Sequence, residues 1–375
     1  MPEILQTDPR AGYLQYRGEI DAAIERVLAG GWYIMGAEVA AFEQEFAAYV
    51  GPRHAIGVGS GTDALELSLR SCGIGAGDLV FTVSHTAVAT VAAIESAGAI
   101  PVLIDIDPEM YTMDAQLLEI AIINASGGTP KAVIPVHLYG NPCDMTLINA
   151  VAERHGLRVV EDCAQSHGAT LLGRMTGAWG HVAAFSFYPT KNLGTFGDGG
   201  MIVTDDPAIA ENARLLQQYG WKERYVSEIP GKNSRLDELH AAILRVKLRH
   251  LDANNGRRRD IAESYTALLS DADIRLPKAS AGAEHVFHQF VIRAPERDAL
   301  RAHLRDAGIG SLVHYPVPVH LQPAYSSRLP PPAKLSNTEL AAGQILSLPM
   351  YPQLTDEQVG RVAEAVIDFR REGTR

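Results

Sequence analysis

The chain has 375 residues, 46% of them hydrophobic and 21% charged, and carries a net charge of −11; that length exceeds one ordinary core and implies two domains, or a large one with an appendage. The acidic balance argues against binding nucleic acid or an anionic membrane, leaving open only a local basic pocket. No run reaches the roughly 18 apolar residues of a membrane helix, the stretch MPEILQTDPR lacks a signal pattern, and Cys72, Cys143 and Cys163 form neither a disulfide framework nor zinc spacing, so a cytoplasmic enzyme without a metal is expected.

In chain order, the strand candidates are HAIGV (54–58), LVFT (79–82), PVLID (101–105), AVIPVH (132–137), LRVVED (157–162), VAAFSF (182–187) and MIVT (201–204). Several are apolar nearly throughout, as strands covered on both faces of a parallel sheet must be. Between them lie the amphipathic segments TDALELSLRSCG, AVATVAAIESAG, DAQLLEIAII and TLINAVAERHG, the last with Asp144 as N-cap and Gly156 at its end. The alternation predicts an α/β layered fold with right-handed crossovers. From residue 237, DELHAAILRVKLRHLDANNGRRRDIAESYTALL reads as a long helix broken around Asn254–Gly256. Then come the strand HVFHQFVIRA, the helix RDALRAHLRDAG, the loops YPVPVH and LPPPAKLS, and the final helix TDEQVGRVAEAVIDFRREG. A large domain over 1–250 and a smaller α/β domain over 251–375 are expected, with packing on the small domain as the alternative for the N-terminal segment.

Four places carry chemistry. In GVGSGTDAL (57–65) a strand runs through a glycine turn into a helix near Thr62, aiming free N–H groups and the positive helix end at one point. This reads either as a phosphate cradle or as an ordinary turn capped by Thr62. It is not a dinucleotide fingerprint, because Thr62 stands where the third glycine is required. In VVEDCAQSHGA (159–169), Asp162 ends an apolar strand, at the sheet edge where open α/β folds bind ligands. It either caps a helix or pairs with an arginine, or it meets a cation carried by the ligand, such as a protonated pyridine nitrogen. In FSFYPTKNLGTFGDGG (185–200), Lys191 follows a strand. It is either a solvated loop lysine or a dehydrated amine nucleophile, with Ser186 donating to an anion and the glycines shaping the turn. His85, between a strand and a helix, is a cap, a satisfied core residue, or a ring over a flat cofactor. A phosphate cradle, a strand-end acid and a strand-end lysine on one sheet edge are together what pyridoxal phosphate requires.

The ordered series GWYIMGAEVAAFEQEFAAYVG (31–51), GSGTDAL, GAIPVLIDID (98–107), PVHLYGNPCDM (135–145), VVEDCAQSHGA, FSFYPTKNLGTFGDGG, QQYG (217–220), KNSRLDELHAAIL (232–244) and YPVPVH (315–320) resembles the DegT/DnrJ/EryC1/StrS family of sugar aminotransferases. The resemblance spans nearly the whole chain. It implies the pyridoxal-phosphate-dependent fold type I, with a mostly parallel seven-stranded sheet in the large domain. It further implies that Lys191 forms the Schiff base and shuttles the proton, and that Asp162 holds the pyridine nitrogen protonated. Gln165 then lies by the phenolic oxygen and His85 over the ring, while Ser60, Gly61, Thr62 and Ser186 hold the phosphate. Asn233 reaches the neighbouring subunit's cofactor, which makes the protein a homodimer with shared active sites. Tyr188, Tyr315 and His320 lie near the sugar, and Lys222, Arg224 and Arg235 are candidates for the nucleotide's pyrophosphate. The implied reaction moves an amino group from L-glutamate, through pyridoxamine phosphate, to a nucleotide-linked keto-sugar. HTAVATVAAIE and the GDGG pattern with Asp198 resemble enzymes acting at C3 of a dTDP-3-keto-6-deoxyhexose. UDP-linked 3-keto or 4-keto sugars, a cyclitol, or a non-catalytic binding homologue are the alternatives.

Overall fold

A computed structural model describes residues 3–329 and 334–372. Three helices, α1 (Pro9–Gln15), α2 (Arg17–Gly30) and α3 (Ala37–Val50), precede strand β1 (His54–Val58). Strict alternation follows: α4 (Gly61–Ser71), β2 (Asp78–Val83), α5 (Val88–Ser96), β3 (Ile100–Ile104), α6 (Ala115–Ile123), β4 (Thr129–Val133), α7 (Met145–Arg154) and β5 (Arg158–Asp162). The short hairpin of β6 (Thr170–Leu171) and β7 (Arg174–Met175) leads to β8 (Val182–Ser186) and β9 (Gly200–Thr204).

Seven of these strands form one sheet in the order β1-β9-β8-β5-β4-β2-β3, with β9 alone antiparallel to its neighbours. Both faces are covered, which explains the apolar runs. On β8, Val182 and Ala184 enter the core beneath α4 and α8, whereas Ala183 and Phe185 enter the one beneath α3. Asp144 caps α7 by accepting from the N–H groups of Thr146 and Leu147, and left-handed Gly156 follows its end. At α4 the cap is Ser60 rather than Thr62: the Ser60 hydroxyl accepts from Asp63 N–H at 3.1 Å.

Beyond the sheet run α8 (Pro207–Leu216), the ribbon of β10 (Trp221–Glu223) and β11 (Val226–Ser227), and α9 (Glu238–Leu248). The remaining elements are α10 (Leu251–Leu268), β12 (Ala283–Glu284), β13 (Phe290–Arg293), α11 (Arg297–Asp306), α12 (Ser336–Gln344), β14 (Ile345–Leu348) and α13 (Asp356–Glu372). Their apolar residues make a separate core around Tyr265, Phe290, Leu300 and Val362. Ile4 is part of that core and bridges to Ile309.

Strand β4 lies at Thr129–Val133 and shares only Ala132 and Val133 with the expected AVIPVH (132–137); three further points differ from the sequence reading. The long helix breaks at Arg249–His250, not at Asn254–Gly256. Asn255 stays helical because its side chain is satisfied by tertiary contacts: it donates to His167 O at 2.8 Å and accepts from Asn192 at 2.9 Å. Only Phe290–Arg293 of HVFHQFVIRA is strand, paired with β14. Val286 and Gln289 instead donate their N–H groups to the carbonyls of Gly140 and Tyr139, tying this segment to the large sheet's edge. The third is ILSL (345–348), which was too short to stand out from its neighbours and yet pairs along its whole length with β13. Of LPPPAKLS, residues 330–333 lie outside the described residues, as does Gly373 at the end of the final helix.

Candidate active site

The ends of the strands converge on a cavity of about 210 Å³. The turn after β1 supplies Ser60, Gly61 and Thr62; the start of α5 supplies Thr86 and Thr90. The end of β5 supplies Asp162 and Gln165, and the end of β8 supplies Ser186, Tyr188 and Lys191. Because β9 runs the other way, Asp198 just before it reaches the same edge. The crevice at the carboxyl ends of the strands is where such folds take ligands.

Helix α4 begins against β8 with no room to spare. A Cβ on Gly61 would lie 2.5 Å from Ser186 Cβ, and one on Gly200 2.3 Å from Ser60 O. Side chains at either place would push the helix start out of the cavity. The N–H groups of Gly61 and Thr62 find no acceptor among the described residues, as the first turn of a helix dictates. With the Ser186 hydroxyl alongside, this is an anion site.

Asp162 is 5% exposed. Thr90 Oγ1 donates to one carboxylate oxygen at 2.9 Å and Ala164 N–H to the other at 3.1 Å. Burial raises its pKa; those two hydrogen bonds, and then the Lys191 charge, oppose the rise. Neither an arginine partner nor a helix cap was found for it among the described residues, only this cavity. Lys191 sits in the turn after β8, its N–H bonded to Tyr188 O at 2.9 Å. Its ammonium has no hydrogen-bond or ion-pair partner among the described residues. Dehydration pushes its pKa down to about 8, against the pull of Asp162.

Gln165 Oε1 accepts from Tyr139 N–H at 2.7 Å, and its Nε2 donates to Tyr315 Oη at 3.1 Å. Tyr315 thus touches the site through Gln165. His85 is buried one residue from the cavity wall, bonded through Nε2 to Tyr139 Oη at 2.8 Å, and burial lowers its pKa to about 4. His320 lies off the wall: its Nδ1 meets Ser84 Oγ at 2.7 Å and its ring clasps the 315–320 loop to the strand end. Asn233 is exposed and does not line the cavity, although its neighbours are pinned to α4. Lys232 Nζ bonds Asp63 at 2.5 Å and Glu66 at 2.8 Å, and Ser234 Oγ bonds Asp63 at 2.8 Å. Lys222, Arg224 and Arg235 do not line the cavity. Sequence reasoning passed over Thr90 and Tyr139. Thr90 lies in the first turn of α5 and its hydroxyl meets that of Thr86 at 3.0 Å, a pairing across the helix start that the sequence did not mark. Nothing local marked Tyr139.

The residues fit pyridoxal phosphate: an anion site of helix N–H groups, a buried acid, and an amine without a partner among the described residues open onto one cavity. Fold and site define the class, a pyridoxal-phosphate-dependent transferase of fold type I. The chain belongs to the DegT/DnrJ/EryC1/StrS aminotransferase family, whose model matches residues 15–367. It is 50% identical to the erythromycin biosynthesis sensory transduction protein EryC1 of Saccharopolyspora erythraea, covering 95% of this chain and 96% of that one. It is 49% identical to the dTDP-3-amino-3,4,6-trideoxy-alpha-D-glucose transaminase of Streptomyces venezuelae, covering 98% and 96%. The crystal structure of S. venezuelae DesV in complex with a ketimine intermediate superposes with a TM-score of 0.95 at 48% identity, covering 99% of each chain. Other solved relatives hold the cofactor in its pyridoxal or pyridoxamine phosphate form. The chain is an aminotransferase that uses pyridoxal phosphate. None of its described helices is long and apolar enough to cross a membrane.

Proposed function

We propose that this enzyme transfers the amino group of L-glutamate to C3 of a dTDP-linked 3-keto-6-deoxyhexose. The observation that carries the reading is Lys191, a dehydrated amine without a partner among the described residues, on the wall it shares with Asp162. Pyridoxal phosphate, when bound, supplies the electron sink for moving a proton next to the transferred nitrogen. Gly61, Thr62 and Ser186 would hold its phosphate, and Ser60 fixes the turn that presents them. Asp162, held by Thr90 and Ala164, would pair with the ring nitrogen and keep its proton in place. Lys191 Nζ takes the proton from the carbon bearing the donor's amino group and delivers it again on the way to product. Tyr188 and Tyr315 stand at the sugar side. The dTDP-linked 3-keto sugar is supported by the likeness to a dTDP-3-amino-trideoxyglucose transaminase over nearly the full chain.

The reading includes a homodimer with shared sites. Trp32, Tyr33, Ile34 and Met35 form a consecutive exposed apolar run, Trp32 at 68% exposure, of the kind that marks an interface. Asn233, exposed between two pinned neighbours, is in this reading the residue that reaches a partner's phosphate. The reading also keeps a large unit of 1–250 and a small one of 251–375, supported by their separate apolar cores. Three free cysteines suit the reducing cytoplasm.

The test incubates holoenzyme and L-glutamate with dTDP- and UDP-linked 3-keto and 4-keto sugars and identifies products by NMR. A 3-amino dTDP-sugar with matching 2-oxoglutarate is expected. Amination at C4 only, or of UDP-sugars only, overturns the substrate. Binding of cofactor and sugar without turnover makes the chain a non-catalytic homologue.

A further inference from the structure

Tyr139 is buried in the single turn Leu138–Gly140 and holds a left-handed backbone (φ 61°) that residues with a bulky side chain rarely adopt. In that conformation its N–H points at Gln165 Oε1 (2.7 Å), and its hydroxyl lies between His85 Nε2 (2.8 Å) and the carbonyl of His314. Donor and acceptor accounting then leaves one arrangement. The His314 carbonyl only accepts, so the single hydroxyl proton of Tyr139 goes there. The oxygen must therefore accept from His85, which carries its proton on Nε2 and leaves Nδ1 bare. His85 Nδ1 has no partner among the described residues. A backbone N–H only donates, so the Gln165 amide oxygen faces Tyr139 and its NH₂ is turned toward Tyr315 and the cavity. Burial keeps His85 neutral, its pKa near 4.

The geometry points to Tyr139 as the positioning residue of the cofactor pocket, fixing the tautomer of His85 and the amide orientation of Gln165 from one strained turn, and linking both to the small-domain loop at His314. This rests on the assignment of His85 to the cofactor's ring face and Gln165 to its phenolic oxygen. It adds that Gln165 is presented as a donor, and that His85 faces its surroundings as an uncharged ring.

The test uses ¹⁵N-histidine-labelled apoprotein, read by the nitrogen shifts of His85, and pyridoxal phosphate affinity by titration. In the wild type, His85 is expected to be protonated on Nε2 alone. Tyr139→Phe keeps the ring and removes the acceptor. It should mix the His85 tautomers and weaken pyridoxal phosphate binding about tenfold, the order of one buried hydrogen bond. Tyr111→Phe, in the same ring cluster (6.0 Å from Tyr139), should change neither readout. A wild-type His85 protonated on Nδ1 overturns the inference even if Tyr139→Phe does not fold. So does a folded Tyr139→Phe with unchanged shifts and affinity. A wild type with the expected tautomer that binds no pyridoxal phosphate supports the accounting at Tyr139 and refutes the cofactor assignments instead.

Discussion

Glu161 and Asp162 are adjacent on β5, both buried carboxylates, and their side chains point to opposite faces of the sheet. Glu161, 0% exposed, is saturated: Trp179 N–H (2.7 Å) and Gly180 N–H (2.6 Å) donate to one oxygen. Gly177 N–H (2.8 Å) and His137 Nε2 (3.0 Å) meet the other. His137 Nδ1 in turn accepts from Cys143 N–H at 3.0 Å, so Nε2 carries the proton. Cys163 lies beside this group, which meets the spacing of a metal site; yet the polar atoms of His137 and Glu161 are already occupied within the protein. Asp162 has two donors and an open side toward the cavity and Lys191. A buried charge closed by hydrogen bonds ties loops together, whereas one left partly open is held ready for a ligand.

The largest effect should come from the open side of this pair. Lys191→Ala should lower turnover at least about 10³-fold, the general-base contribution alone, while the protein stays folded; near-wild-type turnover in a coupled assay would refute its role. Exchanging the two carboxylates for amides should separate them. Asp162→Asn should cut turnover about 10²-fold or more while moving stability by no more than about 1 kcal/mol. Glu161→Gln should cost about 3 kcal/mol, because its new NH₂ faces N–H donors, while the folded fraction keeps its turnover. Thermal melting beside steady-state kinetics measures both, and equal losses in the two variants would erase the distinction.

The smallest effect is in pH. The folded pKa of Lys191, about 8, lies below its ordinary 10.5. Covalent capture of pyridoxal phosphate by the apoprotein needs the free amine, so its rate should climb to about pH 8 and level off. A solvated lysine would keep climbing toward 10.5. Between these values the unfolded chain binds the extra proton, so this group's contribution to apoprotein stability rises with pH across that window. Lys191→Ala should abolish that part of the slope in pH-dependent melting.

Much of this was legible in the chain. Apolar runs of four to six residues between amphipathic segments marked the seven strands, because strands covered on both faces leave no room for polar alternation; at β4 the run AVIPVH caught only Ala132 and Val133, since the strand starts in the more polar TPK. Residues fixed by their place at a strand end, Asp162, Lys191 and the Ser60–Thr62 turn, were likewise visible, since the C-terminal edge of a parallel sheet is set by chain direction. Partnership was not. Nothing in VVED tells which carboxylate is saturated, because Glu161's donors come from the loop at 177–180 and from His137. His320 and Asn233 show the same limit: one is spent on Ser84, and the other is exposed and off the wall of its own chain's cavity. Tyr139 became visible only when a left-handed turn, a histidine 54 residues earlier and a carbonyl 175 residues later met at one hydroxyl. Local sequence settles which backbone a segment prefers. Which donors meet which acceptors depends on where distant segments come to rest.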